Sequence, residues 1–368
     1  MLILNGRYNT AKIFAGIGED SAIIQIYNLL NQRFVEGSQI RIMPDFHAGM
    51  GCTIGTTMTI TDKVVPNLVG VDIGCGMETV LLKEKQLELQ NLDKAIHQYI
   101  PAGLSIRKTP HQFVDEINLS ALRCAKDMKL DRAILSIGTL GGGNHFIELS
   151  KDEDNNLYLV VHSGSRNLGE QAAEYYQERA IKDIKDRGIK VEHSLAYVSG
   201  SLFDDYIHDM AIIQRYADIN RKAIIQDLEK RVGFKSVESF TTTHNYIDLE
   251  SKIMRKGAIS AKKGERVLIP MNMRDGSLLC VGKGNEDWNQ SAPHGAGRLM
   301  SRSTAKERFT LTQFEKAMEG IYSTTINKET LDKAPFVYKP MEEILSNIGE
   351  TVDVKKMLKP IYNFKSAE

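Results

Sequence analysis

Cysteine is scarce in this chain: Cys52, Cys75, Cys124 and Cys280 are the only four in 368 residues. They are too few and too scattered for a disulfide framework, so a reducing, cytoplasmic compartment is expected. An excess of one charge is missing too, because 47 Lys and Arg are matched by 47 Asp and Glu. Zero net charge excludes recognition of a polyanion through a global field and leaves that task to local basic patches. No apolar run approaches the roughly 20 residues that span a bilayer. The start, Met1-Leu-Ile-Leu-Asn-Gly-Arg7, lacks the layout of a signal peptide, so neither membrane nor export is expected. Low-complexity linkers and fixed-period repeats are absent as well. What remains, with 42% apolar and 26% charged residues, is the composition of a globular protein.

Nine histidines are ordinary in number; their placement is informative. Ser21 to Phe34 reads as an amphipathic helix. Arg41-Ile-Met-Pro-Asp45-Phe-His47-Ala-Gly-Met-Gly-Cys52 then breaks into a loop. There His47 reads as a loop histidine and Cys52 as a packed thiol, while Asp45 is placed to orient a metal-bound histidine. Val64 to Val71 reads as a buried strand ending in the turn Asp72-Ile-Gly-Cys75. A carboxylate buried there is costly unless paired or metal-bound, although a capping Asp beside a packed Cys would leave the same pattern. Lys85 to Lys129 reads as polar and helical. Ala133-Ile-Leu-Ser-Ile reads as a strand running into Gly141-Gly-Gly, then Asn144, His145 and Glu148. If that segment is extended, His145 and Ile147 share one face and Asn144, Phe146 and Glu148 the other. Three glycines are a poor way merely to end a strand, because ordering them is entropically expensive.

Leu157-Tyr-Leu-Val-Val-His162-Ser-Gly-Ser-Arg166 repeats the grammar of strand, terminal histidine and small-residue turn. Residues 167–233 read as a helical insertion, with Tyr206, Met210, Ile213, Tyr216 and Ile219 at helical spacing and His193 and His208 as packing or solvated residues. Thr241-Thr-Thr-His244-Asn245 places another histidine after a β-branched run, and Arg255 to Arg266 reads as a basic hairpin. His294 stands immediately before Gly295-Ala296-Gly297. A helix starting near Gly297 would carry Arg298, Arg302 and Lys306 at i, i+4 and i+8, and its N-terminus with the glycines would suit a phosphate. The tail reads as mostly amphipathic helix as far as Lys365.

Asp72, Cys75, His145, His162 and His244 form a credible metal set. Five ligands exceed what one four-coordinate ion needs, whereas two ions bridged by Cys75 would use them all and keep open positions. Zinc, manganese, cobalt and iron all suit this donor set. With His294 beside a phosphate cradle, phosphoryl or nucleotidyl transfer leads, the imidazole attacking an α-phosphorus. No Walker-type motif is present, which argues against P-loop chemistry. Because the strand-end histidines come from well-separated parts of the chain, one interleaved α+β domain over residues 1–368 is expected, with mixed or antiparallel sheets and peripheral helices.

Val69-Gly-Val-Asp72-Ile-Gly-Cys75-Gly-Met, Gly138-Thr-Leu-Gly-Gly-Gly-Asn144-His145-Phe-Ile-Glu148, His162-Ser-Gly-Ser-Arg166, His244-Asn245, Arg255-Lys-Gly-Ala and His294-Gly-Ala-Gly-Arg298-Leu-Met-Ser-Arg302 closely resemble the RtcB family of RNA-splicing ligases. The resemblance runs from about residue 40 to the terminal lysine, six motifs in the family's order. It implies a GTP- and manganese-dependent enzyme, with zinc or cobalt as alternative metals. Such an enzyme joins RNA 3′-phosphate or 2′,3′-cyclic phosphate ends to 5′-hydroxyl ends. His294 matches the histidine that takes GMP, and the five ligands named above match the metal ligands. The nucleotide pocket it implies draws on Asn144, His145, Phe146, Ile147, Glu148, His244, Asn245, Pro270, Asn272, Ser277, the Gly295-Ala296-Gly297 turn and Lys365. Lys365 aligns with a lysine that contacts guanine. An archease-like activator is a further implied partner. Where the family carries Pro-Gly-Ser-Met-Gly, this chain has Pro270-Met271-Asn272-Met273-Arg274, so Asn272 would have to supply the phosphate contact. Without the resemblance, a two-metal phosphodiesterase or cyclic-phosphate hydrolase, or a non-catalytic RNA-binding module, would also fit.

Overall fold

A computed structural model of the chain describes residues 1–16 and 19–366. Two large sheets carry the fold among these residues. One has six strands in the order β1 (Leu2–Asn5), β2 (Thr10–Ile13), β3 (Ile40–His47), β4 (Ile54–Thr59), β12 (Ile253–Lys256) and β11 (Asn245–Asp248). The other has seven, in the order β10 (Ser236–Thr243), β6 (Gly76–Leu82), β8 (Leu157–Ser163), β7 (Phe146–Lys151), β17 (Val352–Lys365), β15 (Gly276–Gly282) and β14 (Arg266–Asn272). Two small ribbons pair β13 (Ala258–Ser260) with β16 (Ser291–Pro293), and β5 (Lys63–Val64) with β9 (Val198–Ser199). Only β2 and β3 run parallel among the paired strands. The α+β class with mixed sheets is therefore as expected.

Helices lie outside the sheets: α1 (Asp20–Leu30), α2 (Leu89–Tyr99), α3 (Leu130–Ser136), α4 (Arg166–Asp186), α5 (Ser201–Val232), α6 (Arg302–Arg308), α7 (Leu311–Ala317) and α8 (Met341–Ile348). The longest, α5, buries Tyr206, Met210, Ile213, Tyr216 and Ile219, the residues that its sequence sets at helical spacing. It ends at Gly233, whose φ of 85° is the left-handed conformation that closes a helix at little cost.

Six local readings are corrected. Arg41 to His47 belongs to the strand β3 rather than to a loop. Arg255 to Arg266 is not a hairpin, because β12 pairs with β4 and β11, and β13 with β16. Ala133 to Ile137 is not a strand: Leu130–Ser136 is helical, and Gly138 turns the chain toward the glycines with φ 79°. Val64 to Val71 is mostly a turn, because Pro66 opens a 3-10 segment, Pro66–Leu68, after a two-residue strand. Past α2, the stretch to Lys129 consists of short 3-10 turns rather than a longer helix. The tail after α8 is the 14-residue strand β17. Its first half pairs with β15 (Leu278↔Met357) and its second with β7 (Lys365↔Phe146), so two partners impose extended structure on lysine-rich sequence.

Candidate active site

The ends of β7 and β8 and the Asp72–Cys75 turn meet where the sheets come together. Cys75 is buried, with its Sγ 3.4 Å from Nε2 of His145 and 3.3 Å from Nε2 of His162. Nε2 of His162 lies 3.4 Å from Nε2 of His244, and Nε2 of His145 lies 2.8 Å from Asp72 Oδ2. Two overlapping triads result, Cys75–His162–His244 and Asp72–Cys75–His145, each compact enough to hold a metal ion. The structure thus brings together all five residues that the sequence nominates as ligands.

The electrostatics fit such an ion. Nδ1 of His145 lies 2.9 Å from the Leu140 carbonyl, which can only accept, so in the neutral ring the Nε2 lone pair is directed at Asp72 and Cys75. Burial pushes the pKa values of His162 and His244 well below the usual histidine value, leaving both rings neutral. Burial and the charge of Asp72 raise the Cys75 thiol. Burial also works to raise the Asp72 carboxyl, but a protonated His145 ring, through its hydrogen bond and charge, together with the Arg166 charge outweighs burial and holds that group well below the usual range; a cation between Nε2 and the carboxylate would take over the role of that proton. Lone pairs from oxygen, sulfur and nitrogen converging in a dry site are costly without a cation. The donor set suits a borderline-soft divalent ion with Cys75 shared between two positions.

Gly141 makes room for Arg166. A Cβ at Gly141 would lie 1.8 Å from Nη1 of that arginine, so any side chain would evict the guanidinium from beside His145. This accounts for at least one glycine of the triplet by close approach rather than by strand ending.

His294 follows β16 and faces the cluster, its ring centroid 5.1 Å from that of His244. Asp45 Oδ2 lies 2.6 Å from His294 Nδ1 and also accepts the backbone N–H groups of His294 and Gly295. The Nδ1 approach is close but oblique, short of a well-aligned hydrogen bond. Asp45 therefore orients His294, not a histidine of the metal cluster as its sequence position suggested. The expected helix near Gly297 is also displaced: α6 begins at Arg302, capped by the Ser301 hydroxyl, so His294 does not stand at a helix N-terminus. Arg298, Arg302 and Lys306 nevertheless gather around one buried residue. Arg298 donates to the Asp332 carbonyl, and the other two lie 3.9 Å from its carboxylate.

Above the cluster opens a cavity of about 700 Å³, a volume within the range of small-ligand sites. Its walls include Asp72, Cys75, His162, His244, His294, Asn144, Phe146, Glu148, Asn245, Pro270, Asn272, Gly295, Ala296, Gly297 and Lys365. Three nominated residues lie elsewhere. His145 lines a neighbouring cavity of about 540 Å³, together with Arg132, Arg166 and Arg302. Ile147 packs into the core with Leu149 and Val161. Ser277 is buried in β15, its hydroxyl without a partner. Asn272 reaches the cavity, but its amide is committed to the turn it starts: Oδ1 accepts from the N–H groups of Arg274 and Asp275, and Nδ2 donates to Asp275.

At the far end, Glu148 and Lys365 project from the paired strands β7 and β17. Burial raises Glu148 to about 7, while donors from Ser150 and Asn363 partly offset it. Burial lowers Lys365 to about 8, opposed by the Glu148 charge. Three contributors escaped the sequence reading. Asn363 holds Glu148 at 2.8 Å and shares with Lys365 the alternate positions of one strand, a signal visible only once that segment is read as extended. Lys256 is buried on the cavity wall, bonded to the carbonyls of Met50 and Asn67. His47, read as a loop residue, also lines the cavity, its pKa lowered by burial.

A cluster of nitrogen, sulfur and oxygen donors that could hold a metal ion, an imidazole set against a carboxylate and a cavity of ligand size stand together in an α+β fold. Comparison with known proteins gives the family: the chain belongs to the RtcB family, described as tRNA-splicing ligase RtcB, whose sequence model matches residues 25–122 and 115–366. The RNA-splicing ligase RtcB of Escherichia coli K12 is 31% identical, with 93% of each chain covered. RNA-splicing ligase RtcB2 of E. coli ATCC 25922 is 28% identical over 95% of this chain and 93% of its own. The tRNA-splicing ligase RtcB of Aeropyrum pernix is 27% identical over 92% and 90%. No helix among the described residues is long and apolar enough to cross a membrane.

Proposed function

We propose that this RtcB-family protein is a GTP-dependent RNA ligase that joins 3′-phosphate or 2′,3′-cyclic phosphate ends to 5′-hydroxyl ends. The observation that carries the reading is the placement of His294, held by Asp45 on one side and standing 5.1 Å, ring to ring, from His244 of the donor cluster on the other. With Nδ1 on the Asp45 side of the ring, Nε2 of His294 is the nitrogen left to attack the α-phosphorus of GTP. The N–P bond forms as the bond to pyrophosphate breaks. An oxygen of the RNA 3′-phosphate then takes the GMP from His294, restoring the ring. Attack by the 5′-hydroxyl on the 3′-phosphorus expels GMP and closes the phosphodiester. A cyclic end is first opened by water. Asp72, Cys75, His145, His162 and His244 would hold two manganese ions sharing Cys75, and these supply positive charge that offsets the charge of the phosphates.

Within the large cavity, Glu148 accepts the N–H donors of guanine, Lys365 contacts the same base, and Asn144, Asn245 and the Gly295–Gly297 turn receive the sugar and phosphates. RNA enters through the neighbouring cavity, where Arg132, Arg166 and Arg302 supply cations. A cytoplasmic setting and an archease-like activator belong to the same reading. The test is incubation with RNA bearing a 2′,3′-cyclic phosphate and a 5′-hydroxyl, GTP and Mn2+. Joined product from the wild type but not from His294→Ala is the expected result. Opening of the cyclic end without any joining would replace the ligase by a hydrolase.

A further inference from the structure

The donor cluster is braced by a helix whose chemistry the sequence leaves silent. Midway along α5, Asn220 and Arg221 are adjacent, polar and fully buried. Asn220 Oδ1 accepts the N–H groups of Gly138 and Thr139 at 2.8 and 3.1 Å. Its Nδ2 lies within donating distance of the Thr139 carbonyl (3.1 Å), Ser163 Oγ (3.0 Å) and the Gly164 carbonyl (3.1 Å). Arg221 Nη1 donates to the carbonyls of Gly74 (2.7 Å) and Ser163 (3.1 Å). Its nearest carboxylate, Asp218, stands 4.0 Å from Nη2, and Nε has no partner. A guanidinium buried with so little compensation is expensive for the fold.

Each group these two side chains hold is a short step from a donor. Gly74 precedes Cys75 in the turn that begins at Asp72, and Ser163 follows His162. Gly164 precedes Ser165, whose N–H donates to Asp72 Oδ1 at 3.0 Å. Thr139 precedes Leu140, whose carbonyl fixes Nδ1 of His145 and accepts Ser163 Oγ at 2.8 Å. The helix also packs directly on the turn: a Cβ on Gly74 would lie 2.9 Å from Ala217 Cβ and 3.1 Å from Gln214 Cα. Three segments distant in sequence are thus tied to two neighbouring side chains on one helix.

We infer that Asn220 and Arg221 are positioning residues of the metal site, holding the Asp72–Cys75 turn, the end of the His162 strand and the His145 loop at the separations that let Asp72, Cys75, His145 and His162 meet. The inference rests on the metal reading proposed above. A role as general fold glue would produce the same hydrogen bonds, so the test must separate metal geometry from stability.

The full chain is titrated with Mn2+ by equilibrium dialysis and with Co2+ by absorption, where a thiolate-to-cobalt band reports Cys75. Asn220→Ala, Arg221→Met and Arg221→Lys are compared with Met210→Ala, a truncation of a buried apolar side chain ten residues earlier in the same helix. Asn220→Ala and Arg221→Met should weaken Mn2+ binding about 10- to 100-fold and alter the cobalt band. Arg221→Lys should recover most of both. Met210→Ala should lower Tm yet leave the affinity within about twofold, as for independent sites. If Arg221→Met does not fold, Asn220→Ala and Arg221→Lys decide. The inference is overturned if Asn220→Ala binds with wild-type affinity and spectrum, or if Met210→Ala weakens binding equally for the same loss of Tm. Wild-type protein that binds neither ion would remove the metal reading itself.

Discussion

One carboxylate oxygen of Asp45 meets three nitrogens of the His294–Gly295 turn: Oδ2 lies 2.6 Å from the ring Nδ1 of His294 and accepts the backbone N–H groups of His294 and Gly295 at 3.1 and 3.2 Å. The residue is fully buried and its Oδ1 has no partner, so the carboxylate is committed to this turn and this ring. Such a commitment would orient the ring and leave Nε2 as the nitrogen for the proposed attack.

Asp45→Asn keeps the size and removes the charge. In buried Asp–His pairs of hydrolases that exchange costs up to about 10⁴-fold in rate. Here we expect a loss of at least roughly 100-fold in single-turnover transfer of GMP to the protein, with GTP affinity changed only a few-fold. An undiminished transfer rate would mean that the ring is oriented by something else.

Glu148 and Lys365 predict a pH window for nucleotide binding. Folding raises Glu148 from its ordinary 4.5 to about 7 and lowers Lys365 from 10.5 to about 8, burial leading in both. Stability from the neutral Glu148 is present at low pH and lost as pH rises through about 7. Stability from the neutral Lys365 is present at high pH and lost as pH falls through about 8. Guanine needs the ionised carboxylate and the ammonium, so GTP affinity should peak between those values and fall on both sides. Calorimetric titrations across this range check it. Glu148→Gln should weaken binding and abolish the acidic limb.

Metal should stabilise the fold, because four buried donors and the half-buried Asp72 converge within bonding reach of common points. At an Mn2+ concentration about 100 times Kd the linkage is worth about 2.7 kcal/mol, or a Tm rise of about 3–4 °C for a chain of this length. Chelator should reverse the rise. Cys75→Ala, which removes the donor common to both triads, should abolish most of it. A wild-type Tm indifferent to both metal and chelator would contradict the account.

Asn272 separates two uses of the variant loop. Its amide is spent on Arg274 and Asp275, so Asn272→Ala should cost about 1–2 kcal/mol of stability, the scale of lost turn hydrogen bonds. The KM for GTP should rise by no more than about fivefold, less than the loss of a charge-assisted phosphate contact would cause. A much larger rise in KM at unchanged stability would restore Asn272 as a phosphate ligand.

The donor cluster was legible in the sequence because its residues announce themselves. Asp72 and Cys75 alone suit a cap and a packed thiol equally well, but beside three histidines at strand ends and glycine turns they make a ligand set, and all five nominated ligands converge. Helix α5 was legible from its apolar spacing. Three things were not. β17 looks helical by composition, and only its two partner strands make it extended, a tertiary override of propensity. Ala133 to Ile137 is apolar and β-like over a short span, where helix and strand cannot be told apart by periodicity. Asn220 and Arg221 look like ordinary helix residues until the fold shows which backbone groups they reach.

The central claim is that His294 carries the nucleotide, and it can be tested without any RNA. The protein is incubated with α-labelled GTP and Mn2+, denatured, and mapped by mass spectrometry beside His294→Ala. A GMP adduct on His294 that is absent from the variant is expected. Labelled protein in the His294→Ala variant, or a wild type that binds Mn2+ and GTP yet forms no adduct, would contradict it.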